Sequence, residues 1–334
     1  MALVRAGDER LYGGHPGSPL EARRLFEEAL EKDYGCKAAK FALKSLLWWQ
    51  RYFEGLPSGR GPEKGMAIVD RWEDFYRFLD GIGDVDRETL RAVRYWVSTA
   101  ALNAFDYNGL NPSQSGDWEL QFKLGLCCKG LGDYENAVVF LDTAAGFKQD
   151  NITLLFERAD AKALAAVQGG DSPDNGLNAR FIFREAFLSD PQAARAYSLE
   201  SVFFCELYRA VGERGYKGSE ILEWMPVWGA LLGGFPLKCK LNQAKLGKLK
   251  AQVFELETVL KTEGGPDSQS LDKKLIPRLL NRYFWLAGHY EFCREREESQ
   301  TDEYGRLLRE TLLKIQFIDV DDFICRAFVK TLVS

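Results

Sequence analysis

Residues 118 to 151 read WELQFKLGLCCKGLGDYENAVVFLDTAAGFKQDN. The first half sets Leu124, Gly125 and Cys128 on one helix face; after a turn at Gly132 and Asp133, the second half sets Ala137, Leu141 and Ala144 on another. Gly125 and Ala137 let two antiparallel helices approach closely, while Leu141 fills the space that opens beside them. The stretch is a helix-turn-helix pair.

Working outward, the segment from Ile152 repeats this pattern with Ala159, Ala179, Phe183, Ala186 and Pro191. It departs by about eight extra residues in its turn, VQGGDSPDNG, a loop expected to project without breaking the stack. Near the start, GSPLEARRLFEEALEKD places Gly17, Ala22, Phe26 and Ala29 at the spacing of a turn and second helix, but the residues before it make a poor first helix. These units resemble the tetratricopeptide repeat, a helical hairpin of about 34 residues with small residues at fixed positions. Gly125, Ala137 and Ala144 occupy three of those positions.

The resemblance implies an all-α, TPR-like solenoid, because no hairpin of this kind buries its apolar face alone and neighbours must stack. Such a stack leaves a concave groove. Residues expected to face it are Phe122, Leu126, Lys129, Phe156, Asp160 and Val202. The best-known ligand mode of the family is a polar clamp on a terminal carboxylate. Phe122 and Leu126 replace clamp positions here, which favours an apolar or helical partner segment.

The flanks are less regular. KAAKFALKSLLWWQRYF, KGMAIVDRWEDFYRFLDG and RETLRAVRYWVSTAALNAFDYN read as helices, and YGRLLRETLLKIQFIDVDDFICRAFVKTLV as a last hairpin. In KLNQAKLGKLKAQVFELETVLK, Leu246, Leu249, Val253, Leu256 and Leu260 form a narrow stripe, open to two readings: an intramolecular packing face, or a homo-oligomer seam through residues 246–260. Lys238, Lys240, Lys245, Lys248 and Lys250 form a basic patch, read as a solvated face or a dock for an acidic protein or lipid head groups. IPRLLNRYFWLAGHYEFCRERE is expected to start a helix near Pro277 and to lie between neighbours, since Tyr283, Phe284, Trp285 and Tyr290 cover more than one face.

ILEWMPVWGALLGGFPL, residues 221–237, is dense in apolar groups around a single charge, Glu223. Pro226, Gly229, Gly233, Gly234 and Pro236 interrupt it, and a spanning helix needs about 20 apolar residues. The expectation is a short helix from Ser219 to near Gly233, with no membrane span. GSEILEWMPVWGALLGGF and IPRLLNRYFWLAGHYE also resemble stretches of tetratricopeptide proteins of spirochaetes, some of which are scaffolds around the flagellar motor in the periplasm.

The 334 residues, 46% apolar, allow a sizeable core, and a net charge of −5 from 44 basic and 49 acidic groups gives no field for nucleic acid. Seven cysteines without CxxC or CxC spacing read as free thiols, and the first residues lack a secretory core, which together suggest the cytoplasm, or the periplasm if a signal is removed. His15 and His289 fall in no ligand-spaced cluster, and no phosphate-binding glycine motif occurs, so no catalytic residue, metal or cofactor is assigned. Cys293 with His289 is the nearest thing to a nucleophile and base; Asp319, Asp321 and Asp322 read as a helix cap. The expected organisation is degenerate repeats over 1–117, core repeats over 118–212 and a helical cap over 213–334. The function expected is non-enzymatic partner binding, with a self-assembling scaffold as the alternative.

Overall fold

The computed structural model describes residues 1–14, 17–106, 116–169, 173–263, 269–296, 301–318 and 323–333. The regular elements among these residues are all helices, with no strand among them. His15, Asp319, Asp321, Asp322 and part of the 167–176 turn lie outside the described residues. Two compact units are present, Met1–Asp150 and Asn151–Ser334, so the division falls inside the segment read as core repeats.

The first unit runs α1 (Ala2–Tyr12), α2 (Ser18–Lys32), α3 (Lys37–Glu54), α4 (Pro62–Asp70), α5 (Trp72–Ile82), α6 (Arg87–Phe105), α7 (Trp118–Gly130) and α8 (Tyr134–Phe147). The hairpin at its end is built as its residues dictate. Asp117 caps α7 by accepting from the Glu119 and Leu120 amides, and Asp133 caps α8 by accepting from the Asn136 amide, each such cap contributing about 1 kcal/mol. Gly132 makes the turn at φ +77°, where a side chain would be strained. A Cβ on Gly125 would lie 2.7 Å from Leu141 Cγ, so the two helices meet where the glycine permits. Ala137, Leu141 and Ala144 are fully buried.

Two features at the N-terminal side differ from expectation. The residues judged a poor first helix do form one: α1 packs on α2, where Ala22 and Phe26 are fully buried. Its weak pattern reflects a close approach, for Gly7 faces the Phe26 ring. The segment read as one helix over 64–81 breaks into α4 and α5 at Arg71, which lets Trp72, Phe75 and Leu79 turn inward.

The second unit runs α9 (Ile152–Gln168), α10 (Pro173–Ser189), a short 3-10 turn (Pro191–Ala193), α11 (Val202–Gly212), α12 (Ser219–Leu231), α13 (Gln243–Glu263), α14 (Gln269–Arg296), α15 (Thr301–Ile318) and α16 (Phe323–Val333). α9 and α10 pair as a hairpin around Ala159, Ala179, Phe183 and Ala186, and Pro191 is buried at its end. α14 is the axis of the unit and packs on α10, α12, α13, α15 and α16. That is why Tyr283, Phe284, Trp285 and Tyr290 are all buried on it. Pro277 lies inside α14 and does not start it; Leu275, just before the proline, is buried and Ile276 packs against the same core, so side-chain packing carries the helix across the missing hydrogen bond.

The 246–260 stripe packs inside this unit. Leu249 and Val253 are buried, and Leu246, Leu256 and Leu260 are packed against the same core as Leu280 and Tyr283. The apolar groups proposed for an oligomer seam are thus already covered by α14 and its neighbours. Residues 219–231 form the expected short helix, and the Phe235 ring folds back against Gly229, where a Cβ would collide with it. Among the described residues no helix is long and apolar enough to cross a membrane.

Candidate functional site

The six residues expected to line a groove divide between the units. Phe122 and Leu126 are half-buried on α7, and Lys129 on the same helix is 4% exposed. In the other unit, Phe156 is 1% exposed and packs edge-on to Phe187 at 4.9 Å. Asp160 is fully buried, and its carboxylate accepts from the Glu200 amide at 3.0 Å and the Ser201 amide at 2.8 Å. That carboxylate holds the entry to α11, where Ser201 is the cap. Val202, at the first position of α11, is exposed. Phe156 and Asp160 sit on faces of α9 that α10 and the α11 entry cover, which periodicity alone does not distinguish from an open face.

The open, chemically distinctive surface lies in the first unit, along α3 and α5. Lys44, Leu47, Trp48 and Arg51 recur at one face of α3, because residues three and four apart are neighbours on a helix. Arg77, Phe78, Gly81 and Ile82 of α5 form the opposite wall. Together they enclose a hollow of 570 Å³; a second, of 420 Å³, continues past Trp48 to Arg51, Tyr52, Gly55 and Arg71. The furrow thus runs on both sides of the Trp48 ring.

Aromatic packing holds it open and in shape. Trp48 meets Trp49, Phe75 and Phe78 at 5.0, 5.1 and 6.0 Å, and Trp49 behind it is fully buried. The Arg71 guanidinium lies 5.1 Å from the Trp48 and Tyr52 rings alike, within cation–π range. Tyr52 is fixed by donating its hydroxyl proton to the Ala67 carbonyl at 2.9 Å.

The rim is cationic. Asp74 pairs with Arg71 and, at 3.2 Å, with Arg77. Lys44 and Arg51 have no acidic partner among the described residues, and the Arg71 Nε–H has no acceptor. Lys44, Arg51, Arg71 and Arg77 outnumber the two carboxylates that act on this furrow, Asp74 and Asp70, the latter also paired with Lys123, and give a local positive field on a chain whose net charge is −5. The sequence holds the signal as K-x-x-L-W-x-x-R over 44–51, but only the structure shows Trp49 inward and Trp48 at the furrow.

Several of the other candidates are engaged within the second unit. His289 Nδ1 accepts from the Leu241 amide at 3.2 Å, which puts the ring proton on Nε2 and leaves Nδ1, 3.6 Å from Cys293 Sγ, engaged as an acceptor. In the basic patch, Lys238 pairs with Glu295 at 2.9 Å and Lys245 with Glu185 at 2.7 Å. Glu223, the one charge of the apolar stretch, accepts two hydrogen bonds from Arg278 and one from Gln192, all at 2.8 Å. Among the described residues, no group of three or more His, Cys, Asp or Glu is placed to share a metal ion. No protein-family model, no curated protein and no solved structure matches the chain.

Proposed function

We propose that the protein is a non-enzymatic interaction module and that it takes a partner segment along the furrow between α3 and α5. The observation that carries this reading is the pairing of an open aromatic floor, Trp48 and Phe78, with two cations, Lys44 and Arg51, that have no acidic partner among the described residues. Aromatic side chains beside arginine are the composition of an interface centre, and leaving such a surface in water stabilises nothing within the unit. The hairpins α7/α8 and α9/α10 are read as tetratricopeptide-like units of the same module, supported by Gly125 against Leu141 and by the buried Ala159, Ala179 and Ala186.

Leu47, 37% exposed on the furrow wall, supplies the test. Immobilised wild-type protein and Leu47→Asp are compared in captures from extracts of the encoding organism, identified by mass spectrometry. The expected result is loss of a discrete partner with unchanged helical circular dichroism. Identical partner sets for both proteins sink the furrow as the docking site.

A self-assembling scaffold is the second reading, and the observation favouring it lies in the second unit. Leu313 and Phe317, four apart on α15, are 64% and 88% exposed and share a face. A light-scattering mass equal to the monomer at every concentration rejects it.

A further inference from the structure

The charge and shape of the furrow specify its occupant more narrowly than a partner segment of any kind. Lys44 and Arg51 stand two helical turns apart on α3, about 10 Å along the axis, with Trp48 between them. Arg71 and Arg77 continue the positive edge; the carboxylate of Asp74 is engaged by both, and that of Asp70 by Lys123. A neutral or basic segment would leave Lys44 and Arg51 desolvated by docking and unpaired, which is costly. Carboxylates at matching spacing are forked by arginine and neutralised by lysine. The apolar requirement is equally local: Leu47, Phe78 and Ile82 offer a hollow of side-chain size beside the Trp48 ring.

We infer that the furrow binds an acidic protein segment in which one large apolar side chain is flanked on both sides by side-chain carboxylates. The inference rests on the furrow being the docking site and adds the chemistry of what docks. Recognition is by internal side chains and needs no free chain terminus. Single-stranded nucleic acid also combines negative charge with stackable rings, but it asks for a cationic track following a backbone, and here the cations close around one aromatic pocket.

An array of short peptides tests this, each carrying one Phe, Trp, Leu or Ile flanked by acidic, neutral or basic residues and blocked by amidation. The expected result is selective binding of acidic peptides to the full chain, weakening steeply as ionic strength rises from about 0.05 M to about 0.5 M. The double variant Lys44→Glu with Arg51→Glu is expected to lose about tenfold or more in affinity for them and to gain for the basic peptides. Both residues are exposed and lack ion pairs among the described residues, so circular dichroism and the melting temperature stay at wild-type values.

Equal binding of acidic and basic peptides, abolished by Leu47→Asp, overturns the charge inference and leaves the furrow as the docking site. Binding of no peptide, or binding untouched by Leu47→Asp, overturns both. A single-stranded oligonucleotide that displaces the acidic peptides at equal or lower concentration reassigns the furrow to nucleic acid and overturns the inference. Loss of binding on removing the amide block, or its appearance only with a free carboxyl terminus, overturns recognition by internal side chains.

Discussion

Trp285 and Trp48 keep similar company and differ in what is laid across them. In the second unit, the Arg184 guanidinium stacks 3.8 Å from the Trp285 ring and donates to the carbonyls of Pro236 and Leu237 at 2.5 and 2.9 Å. Burial lowers Arg184 to about 10, which keeps it charged at neutral pH. The chain after α12 thus fills its own aromatic–arginine site. In the first unit, Arg71 stacks on Trp48, yet no described segment is laid across the ring, and Lys44 and Arg51 flank a hollow. The same residue types are structural where a strand of the chain covers them and available where none does.

The largest effect expected from testing this contrast is at Arg184. Replacing it with leucine leaves the buried Leu237 carbonyl and the half-buried Pro236 carbonyl without their donor, at a cost of about 2 to 5 kcal/mol. Denaturant unfolding reads the loss, and hydrogen exchange is expected to place it in α10, α12 and α14. A shift below about 0.5 kcal/mol would break the comparison, since the guanidinium would then be no more structural than a surface residue.

An intermediate, pH-dependent effect is expected at Asp8. This carboxyl on α1 is 7% exposed, accepts only from Thr89 at 3.2 Å, and has no partner for its second oxygen. Burial, with Asp86, Glu88 and Glu9 adding repulsion, pushes it up to about 7 from 3.8. The folded state therefore prefers the protonated acid. Its stability is undiminished below about pH 4, falls as pH rises toward about 7 while the unfolded chain ionises first, and stays reduced above that. Asp8→Asn should flatten this fall, measured as melting temperature against pH. A wild-type curve rising over the same interval would show that other groups dominate.

The smallest effect sharpens the contrast from the open side. Arg51→Ala should change stability by less than about 0.5 kcal/mol, because its head group meets water and no acid. A loss comparable to that at Arg184 would mean that the furrow is a packing element.

Much of the architecture was legible because it rests on local spacing. The α7/α8 hairpin, the helix over 219–231 and the enclosure of α14 follow from periodicity, glycine placement and aromatics on adjacent positions. The candidate site was not, for a physical reason. Phe156 and Trp48 each lie on an amphipathic helix; what separates them is whether another helix covers that face, and coverage depends on contacts distant in sequence. Asp160 shows the same limit: a charged group on α9 reads as groove-facing until the amides of Glu200 and Ser201 arrive to claim it. Long-range pairings such as Lys123 with Asp70, at 2.8 Å, leave no periodic trace at all.

Glu223 gives the apolar stretch a schedule as well as an anchor. Its guanidinium partner, Arg278, lies 55 residues further along the chain. During synthesis the carboxylate leaves the ribosome first, and a charge without a counterpart keeps its neighbourhood hydrated. The salt bridge that anchors residues 221–237 can therefore close only once α14 has been made.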